Sequence, residues 1–325
     1  MSRGRRTGPL GGKKLEAVIR LLGPEAVLAG EGGARPVARP GSSAEVAALI
    51  RLARAERFAL HVGREAGSAG SGLGLSLERF DRISSIDEQS MLVSAGGGVV
   101  GERLEEAVQA AGYRPIRDVP SEIRLGAHLA GSPAPPTALA GGVAELCVGL
   151  DAVLADGTMI NSRVTPRSAT GPDLKHMLLG TRGALGVILG ATLRLEPLGL
   201  ARAELAWTFG EASAAEAAAS TLVAQGCVWP GMAQTLSDDG EFVLAAAISG
   251  HGEVVEAAVA ACRNRLEDGP GRELPARRTR EVHSEIAARE RDAGPGPAPA
   301  ELAQAFGRLK RELDPAGVLN PGAVQ

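Results

Sequence analysis

Apolar residues in the first part of the chain recur at spacings that predict alternating helices and strands. A helix is predicted over about 43–56, because its apolar residues follow one another at intervals of three and four and Ser42 with Glu45 forms a capping box at its start. The other predicted elements are helices at 15–22, 104–111 and 173–179, strands at 58–62, 91–95 and 187–195, and a hairpin at 150–162.

The pattern changes after Leu198. The elements predicted there are a strand at 204–209, a helix at 213–225, strands at 228–235 and 242–248, and a helix at 253–266. This order is that of a ferredoxin-like domain without its last strand. Residues 269–280 are predicted to be irregular and residues 281–291 to form a charged helix. A final helix is predicted from an apolar stripe that needs a surface to bury against, made of Leu302, Phe306, Leu309 and Leu313.

Two stretches of small residues interrupt the first part. Residues 63–74 directly follow a predicted strand and hold five glycines, a composition that lets the backbone wrap closely around a ligand. Residues 125–136 hold Gly126, Gly131 and three prolines, so they do not form a regular helix throughout. Loops are therefore expected to build the functional site.

Composition and charge narrow the class of protein. The chain has 38 acidic and 35 basic side chains among 325 residues, a formal charge of -3, which argues against a nucleic-acid binder with its basic surface. Hydrophobic residues at 44% suffice for a globular core. The apolar stretches are too short to span a membrane. Although Arg5 and Arg6 resemble an export signal, no apolar segment follows, so a cytoplasmic protein is expected.

The cysteines exclude several kinds of site. Cys147, Cys227 and Cys262 are odd in number and widely separated, so neither a disulfide framework, a zinc site nor an iron–sulfur cluster is expected from this chain alone. No metal site is predicted.

Three segments, in the same order along the chain, resemble the FAD-linked oxidases of the vanillyl-alcohol oxidase type. Residues 39–46 (RPGSSAEV) resemble the opening RPxSxEEV, and residues 167–188 (RSATGPDLKHMLLGTRGALGVI) resemble the central signature GYDLxxLxxGSxGTLGVI. Residues 309–322 (LKRELDPAGVLNPG) resemble the ending LKxxxDPxGxxNPG. The chain is most similar to the short flavin subunit of bacterial glycolate oxidase.

The resemblance implies an α+β fold. A two-subdomain FAD-binding domain of the PCMH type would comprise residues 1–198, and a reduced ferredoxin-like cap residues 199–275. Residues 276–325 would form a linker and a C-terminal helix that returns to the FAD domain. FAD would lie between the two subdomains, with its pyrophosphate held by backbone N–H groups of the loop at 63–72 (GREAGSAGSG).

The resemblance also implies the cofactor contacts. No histidine occupies the first loop, so the FAD is expected to be bound non-covalently. The residues implied to bind it are Arg64, Glu65, Ala66, Gly67, Ser68, Gly72, Gly126, His128, Gly131, Gly186, Ile188 and Asn320.

This chain departs from the family pattern at three of the loop positions. Glu65 and Ala66 replace glycines in the first loop, and the Glu65 carboxylate would repel a pyrophosphate unless it turns outward or pairs with Arg64. Ala127 replaces a glycine in the second loop, which is acceptable if φ is negative there.

Two residues have a structural interpretation beside the functional one. Asn320 is either a turn former before Pro321 or a residue that borders the cofactor. Asp173 is expected to cap its helix, with Lys175 and His176 on the solvated face.

No catalytic residue is identified. The His-bearing motifs of the 2-hydroxy-acid oxidases are not found, and His251 and His283 are expected to be surface residues. His128, within the second loop, is the one histidine whose position makes it worth testing.

The sequence suggests three alternative functions. The leading one is an FAD-binding oxidoreductase, a glycolate-oxidase-like subunit that oxidises a 2-hydroxy acid and passes electrons to a partner, such as a second flavin subunit or an iron–sulfur subunit. The second is a flavin-less structural or regulatory subunit that kept the fold. The third, an enolpyruvyl-type sugar nucleotide reductase, has no recognisable proton-donor context and would oxidise NADPH.

Overall fold

The structure is a computed structural model that describes residues 10–30, 34–63, 70–116, 119–131, 142–162, 173–228, 233–238, 241–292 and 300–321. The chain divides into two compact units. Within the described residues, unit 1 takes in the chain up to 131, residues 143–196 and the C-terminal residues from 300, and unit 2 takes in Gly142 and residues 197–292.

Unit 1 begins with a mixed sheet. Its elements are α1 (Gly12–Leu22), β1 (Val27–Leu28), β2 (Val37–Ala38), α2 (Ser43–Glu56), β3 (Leu60–Val62) and β4 (Leu73–Leu75). The strand order is β1-β2-β4-β3, with β4 parallel to both neighbours. The predicted capping box is present, since Ser42 Oγ accepts a hydrogen bond of 3.2 Å from Glu45 N. One face of α2 is buried against the sheet through Val46, Leu49 and Ile50.

A second sheet completes unit 1. Its elements are β5 (Leu92–Gly96), α3 (Gly101–Gln109), β6 (Tyr113–Pro115), α4 (Leu125–Gly131), α5 (Gly142–Leu146), β7 (Cys147–Leu154), β8 (Met159–Asn161) and β9 (Gly186–Pro197). The order is β5-β9-β7-β8, and β6 also pairs with β9. The long strand β9 is buried along most of its length, which explains its nearly continuous apolar sequence.

The C-terminal residues of unit 1 pack on this second sheet. Helix α9 (Ala300–Leu313) places Phe306, Leu309 and Leu313 against the core formed by β5, β7 and β9. The residues after α9 then run beside β3, where Leu319 forms a parallel bridge with Leu60.

Unit 2 contains a complete ferredoxin-like sheet. Its elements are β10 (Ala201–Phe209), α6 (Ala212–Ala224), β11 (Ala233–Asp238), β12 (Glu241–Gly250), α7 (Gly252–Leu266), β13 (Arg272–Glu273) and α8 (Ala276–Asp292). The order is β11-β12-β10-β13. The prediction that the last strand is missing is wrong, because β13 pairs with β10 at Trp207 and Thr208. Two charged residues carry no periodicity, so only the pairing with β10 identifies them as a strand.

Helix α8 belongs to unit 2 by its contacts, whereas the sequence analysis grouped it with the C-terminal segment. Val282 is buried in a small cluster with Ala206, Val243 and Ala245 of the sheet. The neighbouring His283 is half-buried, and its Nε2 lies 3.2 Å from Leu205 O. The prediction that His283 is a surface residue is therefore wrong. Among the described residues, no helix is long and apolar enough to cross a membrane.

Candidate cofactor-binding site

The first glycine loop connects two neighbouring parallel strands. It leaves β3 at Gly63, which has φ +76°, and reaches β4 after Gly72, which has φ +94°. A Cβ on Gly72 would lie only 2.7 Å from Ala59 O. Glycine is therefore required there both by the positive φ and by the lack of space for a side chain. The residues implied to bind FAD at 64–68, namely Arg64, Glu65, Ala66, Gly67 and Ser68, lie outside the described residues.

A buried arginine lies against this loop. Arg35 precedes β2, is 7% exposed, and has its Nη2 2.8 Å from the position that a Cβ would take on Gly70. Gly70 has φ +134°, a conformation that favours glycine. Arg35 cannot be identified from the sequence, because no motif includes it and its approach to the loop depends on the fold. The arginine brings a positive charge to a loop of the kind that holds phosphates.

Residues 125–131 of the second loop form the helix α4, which lies beside the start of the first loop. Gly126 N donates to Gly97 O at 2.9 Å, and a Cβ on Gly126 would lie 2.9 Å from Ile188 O. A Cβ on Gly63 would be 3.9 Å from the Cβ of Ala127, so the first loop starts next to α4. Because Ala127 has helical rather than positive φ, alanine fits where the family has glycine.

Residues 178–185 of the central signature form the turn before β9. Gly180 N and Arg182 N donate to Leu129 O and Ala130 O, at 3.0 and 2.7 Å, and so connect this turn to α4. Gly186 is buried, and a Cβ there would lie 3.0 Å from Val153 O. The Ile188 side chain is only 3% exposed and belongs to the core, which leaves its backbone as the part next to Gly97 and Gly126.

Asn320 connects the first loop to this turn. Its Oδ1 accepts a hydrogen bond of 2.7 Å from Val62 N, while its Nδ2 donates to Val62 O at 3.3 Å and to Arg182 O. Asn320 is 2% exposed and has φ +36°. The side-chain amide of Asn320 thus binds backbone groups of β3 and of the turn before β9, which are far apart in the sequence. Neither a turn former nor a residue that borders the cofactor describes this role.

The short helical turn at Leu174–Met177 differs in part from its prediction. Asp173 caps it as expected, because its carboxylate accepts from Lys175 N. The prediction that Lys175 lies on the solvated face is wrong, since Lys175 is 6% exposed and its Nζ forms an ion pair with Asp173. His176 is exposed as predicted. Lys175 and Asp173 neutralise each other, so neither is a free catalytic group.

His128 is partly buried in α4. Burial lowers the pKa of His128 to about 4, so the imidazole is neutral near pH 7. A base with such a low pKa accepts a proton poorly at neutral pH, which argues against His128 as the catalytic base. Burial raises the pKa of the Cys147 thiol to about 12, so this thiol is unreactive. Among the residues that the structure describes, no group of three His, Cys, Asp or Glu side chains is arranged to hold a metal ion.

An open cleft of about 720 Å³ lies in unit 1 beside the start of α4. Gly98, Val99 and Val100 form part of its wall, and Arg124, whose Nη1 donates to Gly98 O at 2.6 Å, forms another. The remaining lining residues, which are charged, are Glu78, Arg79, Asp81 and Arg103.

The arrangement fits a dinucleotide such as FAD. Both ends of the first loop have positive-φ glycines, a buried guanidinium lies against the loop, and α4 with the turn before β9 borders its start. Backbone N–H groups and an arginine are the donors that hold a pyrophosphate in proteins.

Comparison with known proteins agrees with this fit. Residues 34–163, which include β3, β4 and α4, match the FAD binding domain family. The uncharacterized FAD-linked oxidoreductase YgcU of Escherichia coli is 30% identical over 170 residues, 49% of this chain and 35% of YgcU. The D-lactate dehydrogenase of Archaeoglobus fulgidus is 30% identical over 171 residues, 50% of this chain and 38% of that protein. The chain thus spans little more than a third of the length of either relative.

The structural comparison covers nearly the whole chain. The substrate-bound structure of p-cresol methylhydroxylase matches with a TM-score of 0.63 and 17% identity, over 97% of this chain and 72% of that one. The α+β fold of PCMH-type flavoenzymes, implied by the three motifs, is therefore confirmed.

Gly126 and Gly131 offer a matched pair in α4. Gly126→Ala is expected to lower the free energy of unfolding by about 1–3 kcal/mol, because the new Cβ would meet Ile188 O at 2.9 Å and Gly97 O at 3.1 Å. Gly131→Ala is expected to cause no loss, since among the described residues no atom outside its own helix lies within 4 Å of its Cβ position. Urea unfolding of both variants without FAD measures the difference, and equal stabilities would contradict the close packing at Gly126.

His128 is expected to make stability fall with decreasing pH. The unfolded chain takes up a proton below the ordinary pKa of 6.5, whereas the folded chain resists protonation down to about pH 4, so acid favours the unfolded state within this window. The decrease in the free energy of unfolding that is due to His128 should reach about 3 kcal/mol at pH 4.

The measurement is urea unfolding of wild type and His128→Gln at pH 7 and pH 4. The exposed His251→Gln is the control and should follow the wild type. A wild-type pH dependence equal to that of His128→Gln would show that His128 is not desolvated.

Proposed function

We propose that this chain, which carries an FAD-binding domain and has relatives among the FAD-linked oxidoreductases, is the flavin subunit of a complex that oxidises a 2-hydroxy acid, in the manner of glycolate oxidase. The observation that carries the proposal is the glycine loop between β3 and β4, placed beside α4 and the turn before β9 inside the matched domain. The substrate class is suggested by the D-lactate dehydrogenase among the relatives.

The residues of this chain would hold and orient the cofactor. The loop at 63–72 would bind the pyrophosphate through backbone N–H groups, with Arg35 adding positive charge. The backbone from Gly186 to Ile188, the start of α4 and the bridge made by Asn320 would fix the walls of the site. When bound, FAD supplies the redox chemistry by accepting a hydride from a substrate carbon.

A partner subunit is part of the proposal. Described unit 2 residues offer no evident base, because His251 is exposed at a turn and His283 is engaged with the backbone of β10. Electrons would also need an acceptor, since three dispersed cysteines do not assemble an iron–sulfur cluster. We place this complex in the cytoplasm.

The test is anaerobic mixing of the FAD-loaded chain with glycolate, D-lactate or NADPH, followed by flavin absorbance. The single chain should be reduced slowly by a 2-hydroxy acid and not by NADPH, and a co-purified partner should accelerate reduction. Rapid reduction by NADPH would overturn the proposed substrate class in favour of a nucleotide-sugar reductase. Efficient reduction of the single chain by glycolate would overturn the requirement for a partner.

A further inference from the structure

We propose that residues 310–320, here called the terminal latch, fix the start of the glycine loop relative to the turn before β9, so that FAD affinity depends on Lys310, Asp314 and Asn320. The latch residues act as positioning residues and need no contact with the cofactor. The part concerning affinity rests on the proposed FAD site.

The latch is anchored by a buried ion pair. Lys310 Nζ donates to Asp314 Oδ2, to Ala184 O and, at 2.7 Å, to Leu319 O. The Asp314 carboxylate accepts from Val318 N and Leu319 N, each at 2.9 Å. Lys310 is 8% exposed and Asp314 is 4% exposed. A shift of the chain at 318–319 would remove the backbone hydrogen bonds that these residues make with the buried Lys310 and Asp314. Both buried charges would then be less well compensated.

The latch continues beside β3, which it joins through an isolated parallel bridge. Leu60 N donates to Val318 O at 2.7 Å, and Asn320 N donates to Leu60 O at 2.9 Å. The pairing is parallel and joins Leu319 to Leu60 of β3. Since β3 pairs with β4 on its other side, the strand that leads into the glycine loop is held between two neighbours.

Asn320 then joins the two walls of the site. Its side chain binds both backbone groups of Val62, the residue before Gly63, and the carbonyl of Arg182 in the turn before β9. Gly183 allows this approach, because a Cβ there would be 3.0 Å from Asn320 Nδ2. Loss of this bridge frees the loop start without removing the backbone N–H groups of the loop that would bind the pyrophosphate.

A positioning role and a purely structural role predict different results. If Asn320 positions the loop, a substitution should speed hydrogen exchange locally at 60–63 and weaken FAD binding while the unfolding midpoint changes little. If Asn320 only stabilises the fold, the midpoint should fall and the folded protein should bind FAD as before.

The experiment compares Asn320→Asp with the control Asn264→Asp, an exposed asparagine in α7. Hydrogen exchange of the FAD-free full chain is measured first, and FAD affinity is then measured by titration. Asn320→Asp should speed exchange at 60–63 and raise the FAD Kd roughly tenfold to a hundredfold, because it loses the amide donor to two backbone carbonyls. The control should leave exchange and Kd unchanged.

If hydrogen exchange at 60–63 is unchanged in Asn320→Asp, or if exchange is faster but the FAD Kd is unchanged, the proposed role of the terminal latch is overturned. If Asn320→Asp does not fold, Asn320→Ser, which removes the bridge without adding a charge, gives the same comparison. A second pair, Lys310→Met and the exposed Arg311→Met, tests the anchor in the same way. If the wild type binds no FAD, the proposed function fails, while the exchange data still decide whether the latch holds the loop.

Discussion

Replacement of Asp314 with alanine is expected to lower the free energy of unfolding of unit 1 by about 3–5 kcal/mol. Burial lowers the pKa of Lys310, and the neighbouring Asp314 carboxylate acts in the opposite direction by stabilising the ammonium group. Without Asp314, the buried cation loses its counter-charge, and Val318 N and Leu319 N lose their acceptor.

Urea unfolding measures this loss, with Glu312→Ala as the control. Glu312 is an exposed acid near the end of α9, two residues before Asp314, and its removal should change stability by less than about 0.5 kcal/mol. Lys310→Met should cost less than Asp314→Ala, because the carboxylate would keep its two backbone donors. A loss below about 1 kcal/mol for Asp314→Ala would contradict a buried, fully bonded pair.

Replacement of Glu65 with glycine is expected to tighten FAD binding by roughly one to three orders of magnitude. A carboxylate about 4 Å from the pyrophosphate would repel it by roughly 1–4 kcal/mol, and each 1.4 kcal/mol corresponds to a tenfold change in Kd. Arg64 in the same loop and the buried Arg35 beside Gly70 would offset part of this repulsion, so the lower end of the range is expected.

The measurement is an FAD titration at fixed ionic strength. Glu65→Gln separates the charge from the flexibility of glycine, and Glu88→Gly, in an exposed turn of unit 1, controls for a change in net charge. Equal affinity of wild type and Glu65→Gly would show that the carboxylate points away from the cofactor. Glu65 lies outside the described residues, so its position is a prediction from the sequence motif.

Local signals predicted the local structure well. The capping box and the apolar spacing placed α2 correctly at both ends, since its first turn is bonded by Ser42 and its buried face follows the helical period. The motif at residues 309–322 did not indicate which residues Asn320 contacts. The partner of Asn320 is Val62, 258 positions earlier, and no local pattern contains a contact of that range.

The features that the sequence did not predict depend on tertiary contacts. The two residues of β13 become a strand only by pairing with β10. Lys175 looked solvated because a charged residue usually is, and its burial depends on the carboxylate of Asp173. Arg35 approaches the glycine loop through the arrangement of β2 beside β4, which the spacing of residues does not encode.

The absorption spectrum of the purified protein shows whether this chain binds FAD without a covalent link. We expect the visible bands of an oxidised flavin, complete release of intact FAD on acid precipitation, and recovery of the bands when FAD is added back to the flavin-free chain. A folded, colourless chain that takes up no FAD in titration would rule out FAD binding and identify the protein as a flavin-less subunit that kept the fold.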